Sequence, residues 1–454
     1  LFSSTANTGG ITGSTALAAG NIYSTDQIDG STLGLTMMLG SGVDNLLVNE
    51  QAAVNKTNTI KLGGGNDILD VANAGAGSTY IFGEDGNDTI RVKTTALETT
   101  DLVDGGQGSD TLVLQGNLVN NLVLLGVENV DLEATAGAKT TVSSADGPVV
   151  FTTNAVNNNI VDLAGLSAGS TVVVNANAST TAAVAEVDEI AVAFAAAEAT
   201  STLDINTAVD DAGGTGVSLT TTNITGVTVD YAEKVGETAA GTIDVNAATA
   251  LTINTAKAAI LGNILAGNDL LETLTINASD AITVGDVVND AVLSTVAISG
   301  VNAVVVGVAA DVDALTSYTV TSSAASVSVG EIGDAGAVTT DPDNLATVVI
   351  SGATTATTGD IEGDILGDVT ITATNGALQT EEIDSVAALG TVTLTSTAGA
   401  INGMTSGTDT VKAADTTGIT VNLAAKTFIS DDGANVLAAD QLDVLNSKGD
   451  VAVN

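Results

Sequence analysis

The sequence contains no cysteine and no histidine. Their absence excludes disulfide bonds, thiol nucleophiles, the Ser-His-Asp arrangement of hydrolases, and zinc sites built on thiolate or imidazole. The remaining metal ligands are oxygen atoms, which suit calcium or magnesium. Metal sites in this chain are therefore expected to consist of carboxylate and carbonyl oxygens.

Aromatic residues are also scarce, at 2% of 454 residues, whereas hydrophobic residues make up 44% and glycine occurs 50 times. Long tracts of alanine, threonine and valine with so few bulky rings indicate thin, closely packed β-structure rather than a large globular core. The length suffices for two or three conventional domains or for one elongated repeat domain.

Basic residues are outnumbered, because 10 lysines and arginines face 54 acidic residues and give a net charge of −44. Such a chain repels nucleic acid and anionic membranes, and it needs high ionic strength or bound cations to relieve its own repulsion. We therefore expect no nucleic-acid partner, and we expect divalent metal to be bound.

No uncharged apolar run reaches the roughly eighteen residues needed to span a bilayer. The nearest stretch, Ala182 to Ala197, is interrupted by Glu186, Asp188 and Glu189. Its amphipathic, alanine-rich pattern predicts a lateral helix outside the repeat. The chain begins at Leu1 without a signal-like segment, so targeting and anchoring segments are expected to lie outside it.

Four segments share the pattern Gly-x-Gly-x-Asp-x-apolar, the third with Glu84 in place of the first glycine. They run from Gly40 to Leu46, Gly63 to Leu69, Glu84 to Ile90 and Gly106 to Leu112. Their aspartates, Asp44, Asp67, Asp88 and Asp110, are 23, 21 and 22 residues apart. A repeat of this length indicates a stacked solenoid.

Weaker copies of the loop lie nine residues before the last three aspartates, at Asn58, Thr79 and Asp101. Each is followed two places later by an apolar residue. Each turn of about 22 residues is therefore predicted to contain two short strands, one after a full glycine-rich loop and one after a weaker loop.

The period continues through residues 130 to 415 as short runs that alternate apolar and polar residues. These runs start near Val130, Val149, Val172, Leu203, Val227, Leu251, Leu274, Val296, Tyr318, Val348, Val369, Val392 and Val411. We predict an all-β, elongated parallel β-solenoid of β-roll or β-helix type. Its predicted parts are a connecting segment (1–32), a calcium-binding β-roll (33–115), an Ala/Thr/Val-rich solenoid (116–430) with insertions near 180–200 and 330–345, and an acidic cap or link (431–454).

The glycine-rich loops are the candidate metal sites. Glycines permit a sharp turn that directs carbonyl oxygens inward, and each loop adds one aspartate, so that stacked loops place several oxygens around one gap. The candidate ligands are Gly40, Gly42, Asp44, Gly63, Gly65, Asp67, Gly86, Asp88, Gly106, Gly108 and Asp110. Good sites are expected in the three gaps between successive aspartates. Poor sites are expected on the opposite edge, where Asp101 is the only carboxylate.

Other acidic clusters are weaker candidates. One cluster consists of Asp360, Glu362 and Asp364, with Asp368 nearby. The others are Asp210 with Asp211, Asp341 with Asp343, and Asp431 with Asp432. In a chain this acidic, most such clusters are solvated loops.

Residues 40 to 112 resemble the RTX repeat, and Gly105 to Leu112 match its nonapeptide. Two further segments, Asp110 to Gly116 and Gly126 to Leu132, followed by Thr/Ala-rich repeats, are similar to RTX-bearing S-layer proteins of Gram-negative bacteria. This resemblance implies several bound calcium ions, type I secretion, an extracellular location at the cell surface, and calcium-driven assembly of copies into a lattice. It also implies anchoring to surface polysaccharide or lipopolysaccharide through a region outside the chain. The chain departs from the family in its 22-residue spacing and in Asn58 and Thr79, which replace aspartates.

Two other functions remain open. A secreted RTX adhesin or biofilm-matrix protein is the main alternative, although the scarcity of aromatics argues against sugar stacking. A β-helical polysaccharide lyase is less favoured, because such lyases need a basic residue beside the acidic ones in the cleft. Here Arg91 belongs to the segment with the glycine-rich motifs, and Lys234, Lys257 and Lys412 are scattered along the chain. We therefore expect no enzymatic activity.

Overall fold

The computed structural model confirms an all-β parallel solenoid with turns of about 22 residues. The residues it describes contain no helix, and hence none that is long and apolar enough to cross a membrane. They are 12–13, 22–24, 36–48, 56–72, 77–93, 101–116, 122–133, 140–144, 149–155, 159–167, 169–176, 187–198, 201–206, 218–232, 242–245, 248–265, 270–288, 292–310, 312–333, 344–381, 383–397, 401–403, 411–413, 416–423, 428–429, 436–437 and 451–453.

The chain divides into two compact units, the first comprising Leu1–Ala208 with Thr221–Ile224 and the second Val209–Thr220 with Thr225–Asn454. The strands of the first unit are β1 (Thr12–Gly13), β2 (Ile22–Ser24), β3 (Thr36–Met38), β4 (Asn45–Val48), β5 (Thr57–Lys61), β6 (Ile68–Val71), β7 (Ser78–Phe82), β8 (Thr89–Lys93), β9 (Leu102–Asp104), β10 (Thr111–Gln115), β11 (Leu122–Leu125), β12 (Asn129–Glu133), β13 (Thr140–Ser144), β14 (Val150–Ala155), β15 (Asn159–Leu166), β16 (Thr171–Ala176), β17 (Val187–Glu198) and β18 (Ser201–Asn206). Strand β19 (Ser218–Ile224) has residues in both units.

The first unit contains two parallel sheets that face each other. Odd-numbered strands from β1 to β17 pair in one sheet and even-numbered strands from β2 to β18 in the other. Each turn contributes one strand to each sheet, as the two-strand repeat predicts. Alternation places Leu69 and Val71 of β6 in the core, while Ile68 and Asp70 are only half-buried. The sheets are therefore held together by a narrow apolar layer.

Register aligns the core residues in columns along the stack. Leu46 pairs with Leu69, Leu69 with Ile90, Ile90 with Leu112, and Leu112 with Val130. Each of these side chains is at most 2% exposed. Because a slip of one residue would turn every column outward, this apolar pattern fixes which loops stack on which.

The predicted lateral helix is wrong. Val187–Glu198 forms strand β17, which pairs in parallel with β15. Val192 and Phe194 are buried, and alternation leaves the intervening residues less so. Parallel pairing and burial outweigh the intrinsic helix preference of alanine here. Residues 187–198 consequently belong to the stack, and the rest of the expected insertion near 180–200 lies largely outside the described residues.

The strands of the second unit are β20 (Gly226–Tyr231), β21 (Thr242–Val245), β22 (Ala250–Thr255), β23 (Ala259–Leu261), β24 (Asn263–Leu265), β25 (Thr273–Ala278), β26 (Ile282–Val284), β27 (Val287–Val288), β28 (Thr295–Gly300), β29 (Val304–Val306), β30 (Ala309–Ala310), β31 (Ser317–Ser322), β32 (Val327–Val329), β33 (Leu345–Gly352), β34 (Ala356–Thr358), β35 (Ile361–Ala373), β36 (Leu378–Thr380), β37 (Ile383–Ser396), β38 (Ile401–Gly403), β39 (Val411–Ala413), β40 (Thr416–Leu423), β41 (Phe428–Ile429), β42 (Val436–Leu437) and β43 (Val451–Val453).

Three sheets enclose the core of the second unit. The turn from β22 to β24 shows the plan, because each of its strands pairs with a different strand of the next turn: β22 with β25, β23 with β26 and β24 with β27. Within the described residues the pairing of β41 with β42 is antiparallel, whereas the pairings of β22, β23 and β24 with the next turn are parallel. The second unit is thus a three-sided solenoid, a distinction that the sequence period alone does not predict.

Most of the predicted strand starts occupy one buried column in each unit. In the second unit Val227, Leu251, Leu274, Val296, Tyr318, Val348, Val369 and Val392 pair in succession. Two predicted starts miss their column: Phe151 rather than Val149 pairs with Val172, and Ile419 rather than Val411 pairs with Val392. The expected insertion near 330–345 falls largely on residues 334–343, outside the described residues.

Candidate metal centre

Each of the four motif aspartates directly precedes a strand of the same sheet. Asp44 precedes β4, Asp67 precedes β6, Asp88 precedes β8 and Asp110 precedes β10. Each is at most 1% exposed. Since these strands pair in register, the structure stacks one buried carboxylate per turn along a single edge of the roll.

A ladder of hydrogen bonds joins these aspartates. Oδ1 of Asp67 accepts the backbone N–H of Asp44 at 2.7 Å, Oδ1 of Asp88 accepts that of Asp67 at 2.8 Å, and Oδ1 of Asp110 accepts that of Asp88 at 2.8 Å. Each carboxylate therefore satisfies a backbone donor of the preceding turn through one oxygen.

Glu128 extends the ladder by one turn and was not predicted. Its Oε2 accepts the backbone N–H of Asp110 at 2.8 Å, and the pairing of β10 with β12 places it one turn above Asp110. The residue type differs, and the interval is 18 residues instead of 22. The signal was present in Gly126, two residues before Glu128, where the other motifs also have glycine.

The second carboxylate oxygens are the unusual feature of this edge. Oδ2 of Asp67, Asp88 and Asp110 are buried and have no hydrogen-bond partner in the described part of the chain. Buried polar groups are nearly always hydrogen-bonded, and an isolated buried charge is costly. These oxygens either carry protons or require a cation.

Burial raises the pKa of the Asp88 carboxyl from 3.8 to about 7, opposed by the N–H of Asp67 and reinforced by the charges of Asp67 and Asp110. Burial also raises the pKa of Asp67 and of Asp110. The stack therefore resists holding all of its negative charge when no cation is present.

Two glycines bring further oxygens to this edge. A methyl group at Gly83 would overlap the carbonyl oxygen of Gly105 and would lie 2.5 Å from Oδ2 of Asp88. A methyl group at Gly105 would overlap the carbonyl oxygen of Gly126 and would lie 2.7 Å from Oδ2 of Asp110. In each case a carboxylate oxygen of the same turn and a carbonyl oxygen of the next turn lie beside one glycine Cα. We call this arrangement the oxygen-lined corner.

The first two turns lack this corner. Five residues before Asp44 and Asp67, where the later turns have Gly83 and Gly105, the chain has Leu39 and Leu62. Leu62 is fully buried. The oxygen-lined corner thus belongs to Asp88 and Asp110, a difference between turns that the Asp-centred motif does not predict.

The predicted glycines form the loops that carry these carbonyls. Gly64, Asp85 and Gln107 are joined by parallel bridges, so the loops themselves stack. A methyl group at Gly86, whose φ is 128°, would overlap the carbonyl oxygen of Gly65. Glu84 adopts a φ of 74°, in the left-handed region that Gly63 and Gly106 occupy at the same loop position. The exceptional third motif therefore retains the loop conformation at some cost in strain.

The opposite edge also contains buried polar residues. Asn58, Thr79 and Asp101 are at most 2% exposed, and Oδ1 of Asp101 accepts the backbone N–H of Thr79 at 2.7 Å. Asp101 thus repeats the ladder contact of the motif aspartates. That metal binds poorly on this edge stays a prediction.

The other acidic clusters proposed as metal ligands do not form a shared metal site in the described part of the chain. Glu362 and Asp364 lie within β35, directly after Asp360, and not in a glycine-rich loop. The described part of the chain has no group of three or more acidic side chains placed to share a metal ion. The pairs at 210–211, 341–343 and 431–432 lie outside the described residues. A metal site in the described ranges must therefore combine one or two carboxylates with carbonyl oxygens.

Comparison with known protein families, with curated proteins and with solved structures finds no match to this chain.

Proposed function

We propose that this chain is a structural protein of the cell exterior, a calcium-dependent β-solenoid that assembles with copies of itself into a surface lattice of S-layer type. The observation that carries the proposal is the column of buried carboxylate oxygens without hydrogen-bond partners at Asp67, Asp88 and Asp110. No described lysine or arginine forms an ion pair with these three aspartates, and none contributes to their raised pKa values.

The donor set fits calcium. Calcium takes six to eight oxygen ligands in flexible geometry, from carboxylates, backbone carbonyls and water. Asp88 and Asp110, with the carbonyls of Gly105 and Gly126, would hold the ion, and Asp67 with the loop carbonyls would hold another more weakly. When bound, the ion supplies positive charge that compensates the buried carboxylates.

Calcium would act through folding stability. Leaving a buried charge uncompensated costs several kcal/mol. An ion that binds only the folded state stabilises it by about 2.7 kcal/mol at a concentration 100 times its dissociation constant. The roll would therefore be loose at low calcium concentration and rigid at the higher concentrations found outside cells.

The same charge would make assembly of copies depend on cations. A chain with a net charge of −44 repels its copies unless cations bridge or screen them. The resemblance of residues 40 to 132 to RTX-bearing S-layer proteins supports a cell-surface location and type I export.

Electron microscopy of the purified chain tests this proposal. We expect ordered sheets or filaments in millimolar calcium, their loss in chelator, and their return when calcium is restored. The paired substitutions Asp88→Asn and Asp110→Asn should prevent assembly. The matched control is Asp70→Asn with Glu133→Gln, which removes two charges that lie outside the aspartate column. Identical single particles with calcium and with chelator would contradict the proposal.

A further inference from the structure

The residue five places before each motif aspartate occupies an equivalent position in four successive turns. At this position each residue donates its backbone N–H to the carbonyl of the residue that precedes its counterpart one turn later. In chain order the donors are Leu39, Leu62, Gly83 and Gly105, and the acceptors are Lys61, Phe82, Asp104 and Leu125. The turns therefore share these backbone contacts and differ in whether a side chain is present. We call this place the corner position.

Where the corner position is glycine, two oxygens come close enough to share an ion. The point at which a Cβ of Gly83 would lie is 2.5 Å from Oδ2 of Asp88, and it overlaps the carbonyl oxygen of Gly105. These two oxygens are therefore no more than about 5 Å apart. Calcium lies about 2.3 to 2.6 Å from each of its oxygen ligands, so one ion can contact both. The corner at Gly105, with Asp110 and the carbonyl of Gly126, has the same form.

Leucine at the corner position excludes this arrangement. Because a carbonyl oxygen cannot occupy the place of a Cβ, the Cβ of Leu62 keeps the carbonyl of Gly83 out of the corner beside Asp67. Leu62 is fully buried, so apolar atoms lie where the later turns have an oxygen. Oδ2 of Asp67 is nonetheless buried without a hydrogen-bond partner among the described residues, as is Oδ2 of Asp88. The two turns thus differ in the carbonyl ligand and not in the carboxylate.

We propose that the corner position determines how tightly each turn of the roll binds calcium. Gly83 and Gly105 permit tight sites at Asp88 and Asp110, whereas Leu62 weakens the site at Asp67 by excluding one ligand. The four similar motifs therefore supply two tight sites and not one in each of three gaps. The inference deepens the proposed calcium binding and rests on it, but it does not require assembly into a lattice.

Calorimetric titration of the full chain with calcium, after EDTA treatment and dialysis, measures the number and affinity of the bound ions. Sodium chloride at about 0.15 M shortens the Debye length to about 8 Å and suppresses weak binding at exposed carboxylates. Asp88→Asn and Asp110→Asn should each remove one tightly bound ion, whereas Asp67→Asn should leave the number of tight ions unchanged. Loss of one tight ion in all three variants would overturn the inference.

A methyl group at the corner position tests the tight site at Asp88. Gly83→Ala should weaken one tight site at least about tenfold, because the methyl group overlaps the carbonyl of Gly105. Gly64→Ala is the matched control in the same stack of loops, since its Cβ would lie 3.7 Å or more from its neighbours. The control should change calcium affinity less than about twofold. Equal effects of the two substitutions would contradict the role of the corner position.

Removal of the leucine side chain tests the converse. Leu62→Gly should strengthen binding at Asp67 at least about tenfold and add a third tight ion, because the carbonyl of Gly83 can then enter the corner. Leu62→Ala is the control, since it loses most of the same buried apolar volume but keeps the Cβ. A gain in affinity that is equal in both variants, or absent from both, would overturn the inference. Circular dichroism verifies that each variant folds, and if neither Leu62 variant does, the Gly83 and Gly64 pair decides.

The same variants separate this inference from the proposed function. Calcium affinities that follow the corner position, in a chain that forms no sheets or filaments with calcium, would refute the lattice and leave the inference standing. Calcium-dependent sheets, with affinities that neither Leu62→Gly nor Gly83→Ala changes, would do the reverse. A wild-type chain that binds no calcium tightly would overturn both.

Discussion

Asp88→Asn should stabilise the chain without calcium and remove much of the stabilisation that calcium provides. The side chain is 1% exposed, its Oδ1 accepts the N–H of Asp67, and its Oδ2 has no partner among the described residues. Asparagine keeps an acceptor for that N–H. It also places donor protons in the corner that holds the carbonyl oxygen of Gly105.

The size of the effect follows from the raised pKa of the Asp88 carboxyl. The difference between 3.8 and about 7 corresponds to about 4 kcal/mol at 1.36 kcal/mol per pH unit. Allowing for relaxation around the new amide, we expect the substitution to stabilise the chelated chain at pH 8 by about 2 to 4 kcal/mol. With calcium at 100 times its dissociation constant, the wild-type chain regains about 2.7 kcal/mol for each ion lost by the variant.

Thermal unfolding followed by circular dichroism, in EDTA and in calcium, measures both effects. Wild type should melt lower than the variant in EDTA and should gain more from calcium. Asp70→Asn, a half-buried aspartate of β6, controls for the change in net charge. A variant that melts below wild type in EDTA, or that responds equally to calcium, would refute the reasoning.

Three further predictions concern the same roll. In EDTA the free energy of unfolding should fall as pH rises from about 4 to about 7 and should then level off. The reason is that the folded Asp88 holds its proton up to about pH 7, whereas the unfolded one releases it near 3.8. The raised pKa values of Asp67 and Asp110 act in the same direction, so a melting temperature that rises with pH over this range would contradict the prediction. Gly86→Ala should destabilise the folded chain by about 3 kcal/mol or more in urea unfolding, because the methyl group overlaps the carbonyl of Gly65. The control Asn87→Ala loses one exposed hydrogen bond to the backbone N–H of Ser109 and should cost about 1 kcal/mol. An equal cost for the two substitutions would contradict the close packing of the loops. Glu84→Gly should be neutral or stabilising by up to about 1 kcal/mol, because relief of the strain of a left-handed backbone conformation outweighs loss of the exposed ion pair with Lys61. Glu84→Ala keeps that strain and should be the less stable of the two variants in the same assay.

The confirmed predictions of the fold depend on local sequence signals that recur at nearly regular intervals. Asp44, Asp67, Asp88 and Asp110 follow glycine-rich loops at near-constant intervals, and their placement in one buried column was predictable for that reason. The buried column from Val227 to Val392 was predictable because valine and leucine residues, with Tyr318 as the exception, recur at similar intervals in short alternating runs.

The features that were missed depend on contacts between turns. Val187–Glu198 is rich in alanine, and only its pairing with β15 makes it a strand. Glu128 joins the aspartate ladder with a different side chain and a shorter interval. The oxygen-lined corner at Gly83 and Gly105 is visible only when turns are stacked, since it joins Asp88 to the carbonyl of a residue one turn later.

Hydrogen exchange followed by mass spectrometry tests the central claim most directly. On removal of calcium, amides in the loops before β6, β8 and β10 should lose protection by at least tenfold, while the strands from β22 to β31 in the second unit should exchange as before. Equal protection of those loops with and without calcium would contradict the account, because the buried carboxylates would then be compensated without a metal ion.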